Sequence, residues 1–334
     1  MSLNVSRRGL LAGVLGLGAL AACGDSKTDG GGQAQSDAWA FTDDRGTNVN
    51  LAQRPKRIVA YVGSAAALRD FGVDEPLVGV FGPIKAADGG QDPLAGDLDP
   101  ARLESLGNAW GEFNIEQYAA LRPDLLITNM YEPDALWYVP DDSKDKILAL
   151  APSVGLNVAR TTLLKVIERY AGLAASLGAD LAAKPVADAR ARFEAASDAV
   201  RAAVQANGGL KVLAASASPD LLYVSDPKVY ADLSYYQELG VEVIVPGQVT
   251  GGYFENLSWE NADKYRADVI LLDSRTSALQ PRDLTAKPTW AGLPAVTAGQ
   301  IVPWLSEPRF SHAGCAAPLE TLAKALGGAK KVAS

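Results

Sequence analysis

Two cysteines and one histidine are the residues with the most chemistry to offer, and their placement assigns them little of it. Cys23 closes the run Leu20-Ala21-Ala22-Cys23, behind Arg7-Arg8 and an apolar stretch over 9–20. That dozen residues is too short to span a bilayer, which takes roughly 20. It reads as a signal peptide over 1–22, with Cys23 as the lipidated first residue of the mature chain carrying a fatty-acyl (palmitate-type) anchor. An ordinary secretory signal with an incidental cysteine is the alternative, and the polar, glycine-rich stretch that follows at once favours the lipid. Ser6-Arg7-Arg8-Gly9-Leu10-Leu11 also fits a twin-arginine export signal. With Cys23 so used, Cys315 falls alone in an apparent C-terminal helix and reads as a small buried hydrophobe. His312 is the single imidazole. A transition-metal site usually wants several imidazoles or thiolates, and an acyl-transfer hydrolase a histidine base. G-x-S-x-G and metal-type Cys/His spacings do not occur. The expectation is a chain that is no enzyme, with no catalytic residue, no resident cofactor and no metal site; a lipid-anchored extracytoplasmic enzyme is the weaker alternative.

The second chemical set is aromatic and cationic. Tyr61 ends an apolar run over 57–62, Trp110 precedes a helical segment, and Tyr131 follows the apolar run 125–128. Further on, Tyr253 and Phe254 precede another helical segment, Arg275 follows the run 269–273, and Trp304 follows Ile301-Val302, with Arg309 beyond it. Rings at strand ends, with arginines able to hydrogen-bond oxygen acceptors, suggest together a roomy aromatic cleft. Each ring alone reads more readily as ordinary packing.

These residues are positioned by continuous apolar runs alternating with helical patterns, the signature of a buried, mostly parallel sheet. The scheme occurs twice. In the first half it is the strand at 57–62, a helix to 71, a strand at 77–80, a helix over 115–121 and a strand at 125–128. In the second it is a strand at 211–215, a helix over 228–239, a strand at 241–245, a helix from 259 and a strand at 269–273. One pairing is in register: Glu116-x5-Arg122-x-Asp124 against Glu260-x5-Arg266-x-Asp268, each leading into an apolar triplet. Between the halves, Pro185 suits a helix first turn, and Val186, Ala189, Phe193, Ala196, Val200 and Ala203 form one apolar stripe ending at Asn207-Gly208-Gly209. Arg190–Glu194 and Asp188–Arg192 are expected as pairs four residues apart. About 20 helical residues span roughly 30 Å: a strut between two lobes, or a long core helix in one large domain. The expected organisation is a signal peptide at 1–22, a flexible tether at 23–38, an N-terminal lobe at 39–182, an interdomain helix at 183–207 and a C-terminal lobe at 208–334.

The formal charge of −8 becomes −8 − 2 = −10 once Arg7 and Arg8 are removed. Such an acidic chain argues against nucleic acid and against adsorption to anionic lipid. Apolar residues make up 48% with no second long apolar run, which leaves a globule on a lipid leash.

Two α/β lobes joined by one long helix behind a lipoprotein signal resemble the solute-binding proteins of ABC importers, of the class serving siderophore, haem and cobalamin uptake. The resemblance is carried by Arg54-Pro-Lys-Arg-Ile-Val-Ala60, Phe113-Asn-Ile-Glu116-Gln-Tyr-Ala-Ala-Leu-Arg-Pro-Asp-Leu-Leu-Ile127, Asn256-Leu-Ser-Trp-Glu260 and Ala267-Asp-Val-Ile-Leu271. It implies two Rossmann-like lobes, a single joining helix and a ligand cleft between them. It implies that Glu116 and Glu260 dock on arginines of a permease, where the alternative is that each merely caps its helix. It further implies that Trp110, Tyr131, Phe254 or Tyr253, and Trp304 occupy cleft positions of hydroxamate-siderophore binders. The expected partners are a ferric siderophore, iron being carried within the ligand, and a cytoplasmic-membrane permease with its ATPase. The expected state is a lipid-anchored extracytoplasmic monomer. A neutral or cationic ferric hydroxamate of the ferrioxamine type fits an acidic chain poor in histidine; haem, cobalamin and other siderophores are the alternatives.

Overall fold

The computed structural model describes residues 38–86 and 88–333. The signal segment, most of the tether and Cys23 lie outside these residues. An antiparallel hairpin, Trp39–Thr42 with Asn48–Leu51, opens the described chain.

The N-terminal lobe is built on five strands in the order Glu104–Ser105, Leu77–Phe81, Ile58–Tyr61, Leu125–Met130, Ser153–Asn157, every pairing parallel. The first strand in the chain lies in the middle, and the chain winds outward from it first one way, then the other. Its C-terminal end is therefore the point where the connections diverge and a crevice opens. The central strands are wholly buried, as continuous apolar runs covered on both faces must be.

The C-terminal lobe follows the same plan with antiparallel additions. Lys211–Ala217, Val269–Asp273 and Ile301–Trp304 pair in parallel. Leu221–Ser225 pairs antiparallel to the end of Lys211–Ala217, and Phe254–Ser258 antiparallel to Leu221–Ser225. Alternation is visible in the two cores. Val212, Ala214, Val269 and Leu271 join the large core shared with the long helices, whereas Leu213, Ala215, Ile270 and Leu272 pack under Trp259 and Trp290.

Two expected elements change. The strand at 241–245 shrinks to Glu242–Val243, and from Ala215 on the same edge of its neighbour is taken by Leu221–Ser225. The helix expected from 259 is a single 3-10 turn, Trp259–Asn261. In the N-terminal lobe Asn114 caps the corresponding helix Ile115–Leu121 by accepting from the Gln117 amide at 3.0 Å. In the second lobe the Ser258 hydroxyl instead accepts from Asn261 Nδ2 and caps nothing.

The joining helix is Lys184–Ala206, with Val186, Phe193, Ala196, Val200 and Ala203 buried. Alongside it runs the C-terminal helix His312–Gly328, which follows the last strand. Arg190 and Glu194 pair as expected at 2.9 Å. Arg192 does not pair with Asp188; it forks onto both oxygens of Glu320, 2.7 Å each, and ties the two helices together. The strut is thus a pair of packed helices joined by an ion pair.

Candidate functional site

The strand ends converge on one cavity of about 460 Å³, within the roughly 300–1,000 Å³ of small-molecule sites. From the N-terminal lobe, Trp110, Trp137 and Tyr138 wall it, and Asp92 and Asn108 line its rim; from the other come Arg275, Thr276 and Glu307. A larger groove of about 630 Å³ lies around Phe193 and His312, but it is walled by helices only. The position outside the carboxyl ends of both sheets selects the cleft.

The aromatic wall is held from behind. After Met130 the chain loops back, and Trp137 rejoins the strand through its amide to Asn129 O (2.9 Å) and its carbonyl, which accepts from Thr128 Oγ1 (2.8 Å). Trp110 stands 62% exposed with its ring edge-on to Trp137 at 4.7 Å and to Tyr138 at 5.0 Å. Tyr138 has φ +61°, a left-handed conformation costing a bulky residue about 1–3 kcal/mol. Its ring packs 5.3 Å from that of Tyr61. Gly82, at φ +94°, passes so close to Tyr61 that a Cβ there would lie 2.7 Å from the ring. The backbone is bent to bring the rings together.

Beneath the wall lies a four-member cluster around Glu307. Tyr61 Oη donates to Glu307 Oε2 at 2.7 Å and Trp137 Nε1 to the same oxygen at 3.0 Å, while the Arg275 guanidinium binds Oε1. Arg275 also grips the wholly buried Asp273 through Nε and Nη2, the latter at 2.7 Å. Burial would weaken the charge on Arg275, but Glu307 and Asp273 outweigh it and hold the guanidinium firmly protonated. The Tyr61 phenol is pushed well above its ordinary range by burial and then by Glu307, so it stays a donor.

The residues singled out in the sequence divide as follows. Trp110 and Arg275 line the cavity. Tyr61 lies directly below it, fully buried. Tyr131 is buried against Trp137, its hydroxyl without a hydrogen-bond partner among the described residues. Tyr253 Oη donates to the Tyr131 carbonyl at 2.6 Å, and its ring sits under the Arg160 guanidinium, so it joins the lobes beside the cleft. Phe254 opens the edge strand, packed on Tyr223 at 4.9 Å. Trp304 is buried, donating to Asp232 at 2.6 Å; burial pushes that carboxyl up to about 6. Arg309 binds Asp70 at 3.3 Å and fills the space against Gly96, where a Cβ would meet it. Cys315 is buried and donates to Arg309 O, its thiol pushed far up by burial. His312 lies between Phe71 and Phe193, its pKa lowered by burial.

Trp137, Tyr138 and Glu307 escaped the sequence reading. Trp137 and Tyr138 follow Tyr131 by six and seven residues in the same strand-end loop, so the signal was there. Glu307, three residues past Trp304, had none: its role depends on three partners from three distant segments.

Glu116 and Glu260 are both exposed. The Glu260 carboxyl is held below its ordinary value by its own backbone amide and then by Ser258. Behind each glutamate, the repeated aspartate serves the sheet. Asp124 accepts from the amides of Lys56 and Arg57, at 2.9 and 3.0 Å, where the first lobe's central strand begins. Asp268 accepts from Lys211 at 2.7 Å at the start of the second lobe's central strand, and from Val332 and Ala333 at 2.6 and 2.7 Å.

Comparison with known proteins agrees with this geometry. The periplasmic binding protein family profile matches residues 60–308. The crystal structure of DesE, a ferric-siderophore receptor protein from Streptomyces coelicolor, is 49% identical with TM-score 0.85, covering 88% of this chain and 99% of that one. The petrobactin-binding protein YclQ from Bacillus subtilis shares the fold at 15% identity and TM-score 0.64, covering 86% of this chain and 98% of its own. The siderophore periplasmic binding protein from the fuscachelin gene cluster of Thermobifida fusca does so at 21% identity and TM-score 0.58, covering 82% and 97%. No curated protein sequence gives a significant match. The doubly wound lobes, the joining helix, the cleft at the strand ends and the profile spanning most of the chain agree: this chain belongs to the periplasmic binding protein family.

Proposed function

We propose that this protein is the extracytoplasmic receptor of an ABC importer, capturing a ferric siderophore and delivering it to a membrane permease. The observation that carries the reading is the ring wall of Trp110, Trp137 and Tyr138 facing Arg275 across a cavity of about 460 Å³, in a chain 49% identical to a ferric-siderophore receptor. A siderophore fills the iron's coordination sphere itself. The protein then needs apolar surface for the ligand's methylene linkers and a donor for its chelating oxygens, and rings with an arginine supply both. The best-fitting class is a neutral or cationic ferric hydroxamate of the ferrioxamine type. Of the residues named from the sequence, Trp110 and Arg275 touch ligand, Tyr61 and Tyr131 back the ring wall, Trp304 and Arg309 are engaged by Asp232 and Asp70 instead, and Tyr253 and Phe254 border the cleft.

Titration of the purified protein with ferrioxamine-type ligands, followed by tryptophan fluorescence, tests this. Wild type binds with quenching, and Trp110→Ala weakens binding about thirtyfold, the equivalent of losing roughly 2 kcal/mol of a ring contact. Trp110 is exposed enough that its loss leaves the fold intact. Tight binding of haem, cobalamin or a ferric catecholate with no response to the hydroxamate overturns the ligand class. Binding indifferent to Trp110 overturns the placement of the site.

The lipid anchor at Cys23 belongs to the same reading, since a receptor for a membrane permease gains by staying at the membrane. Cys23→Ser moves the protein from the membrane pellet to the soluble fraction; a variant that still pellets after a carbonate wash removes the anchor from the proposal.

A further inference from the structure

We infer that Glu307 sets the charge preference of the cleft, admitting neutral and cationic ferric complexes and rejecting anionic ones; this rests on the siderophore reading above. Arg275 by itself would favour an anionic ligand. Its charge is already matched by Asp273, which is wholly buried and bound through two guanidinium nitrogens. Glu307 is therefore a second carboxylate on a guanidinium that needs one. Formally, Arg275 and Lys85 at the cavity count +2, and Asp92, Glu307 and the underlying Asp273 count −3, leaving −1.

The competing role is mechanical. Glu307 comes from the C-terminal lobe, and its Oε2 accepts from Tyr61 and Trp137 of the N-terminal lobe, so it clasps the two together. A clasp does not require charge. A phenol and an indole N–H are both satisfied by one amide oxygen, so the clasp uses only Oε2; the other oxygen, Oε1, is held by Arg275, towards which a glutamine would turn an N–H. Beyond the clasp, the carboxylate brings a negative charge paired with Arg275, and it lines the ligand cavity. Few counter-ions reach such a place, so one unit of charge there changes the affinity of a charged ligand about tenfold or more.

The test holds ligand shape fixed and varies charge. Three ferric complexes are titrated: a linear trihydroxamate bearing a free ammonium tail, its N-acetylated neutral counterpart, and a tris-catecholate. Wild type prefers the ammonium form to the neutral one by about tenfold and binds the catecholate weakly. Glu307→Gln brings the first two affinities within about twofold of each other and strengthens catecholate binding. Glu307→Asp, which keeps the charge but shortens the reach, weakens both hydroxamates while preserving the preference. If Glu307→Gln weakens both hydroxamates equally and leaves their ratio unchanged, Glu307 is only a clasp and the inference fails. If wild type binds the catecholate most tightly, the charge argument and the hydroxamate assignment fall together. If it binds none of the three, the siderophore reading fails before Glu307 is reached.

Discussion

The two lobes share a sheet plan and a short repeat, yet they bring different chemistry to the cleft. The N-terminal lobe contributes rings: Trp110, Trp137 and Tyr138 on loops leaving an all-parallel sheet. The C-terminal lobe contributes ions: Arg275 and Glu307 on loops leaving a mixed one, with Asp273 buried at the end of a strand beneath them. What the repeat keeps lies outside the cleft lining, with only its aspartates at the other end of the strands. Glu116 and Glu260 occupy matching exposed positions, and Asp124 and Asp268 both hold the start of a central strand. The lesson is a division of roles. The aspartates that start the central strands and the exposed glutamates are repeated, whereas the loops that line the cleft have diverged, one lobe bringing the rings and the other the arginine with its carboxylates.

If the lobes are equivalent on their outer surface, charge reversal at either glutamate must injure transport without touching ligand binding. The largest effect is expected from Glu116→Arg with Glu260→Arg: iron–siderophore uptake by cells falls to background, while the dissociation constant of the purified protein stays within about twofold. Each single reversal lowers uptake by a similar factor, since a permease gripping both lobes needs both anchors. A large loss of ligand affinity in the folded double variant would place these carboxylates in the binding site. A severe defect from one reversal beside a silent other would break the symmetry.

The same division explains what could be read from the sequence. Parallel strands covered on both faces announce themselves as apolar runs, so 125–128 and 269–273 were legible and belong to Leu125–Met130 and Val269–Asp273. The strut was legible from its stripe and its glycine stop. Leu221–Ser225 and Phe254–Ser258 were not, because an antiparallel edge ladder alternates buried and exposed residues over only five positions. At the site, Arg275 and Trp110 were legible because strand-end position nearly suffices to put a side chain in the crevice. Trp304 and Arg309 also follow or end a strand, yet each is claimed by a buried carboxylate, Asp232 and Asp70, from elsewhere in the chain. Glu307 was invisible for the same reason in reverse. Long-range partners decide whether a strand-end residue faces ligand or core, and spacing does not encode them.

The smallest expected effect sharpens the comparison at the repeated aspartates, where the lobes are alike in kind and unequal in degree. Asp124 accepts two backbone N–H bonds and is partly exposed; Asp268 accepts three and is wholly buried. Two of the three come from Val332 and Ala333, so Asp268 also fastens the C-terminal segment to the sheet. Replacing an acceptor strands its donors, at about 1–3 kcal/mol for a buried group and less where water can enter. Asp268→Ala is therefore expected to cost about 3 kcal/mol and Asp124→Ala about 1 kcal/mol. The pH dependence separates charge from shape. Burial would raise the Asp268 carboxyl, but the amides of Ala333, Lys211 and Val332 outweigh it and hold it below the ordinary 3.8. A carboxyl lowered in the folded state adds stability above its unfolded value, and that stability is lost as pH falls through the folded value. In Asp268→Asn one amide nitrogen must face a backbone N–H, donor against donor. Thermal unfolding across pH should then show wild type well above Asp268→Asn near neutrality, with the gap closing as the pH drops below 3.8. A gap that persists unchanged into acid would mean that shape, not the ionised carboxylate, holds the strand. Equal losses at Asp124 and Asp268 would mean that the C-terminal segment contributes nothing to the second lobe.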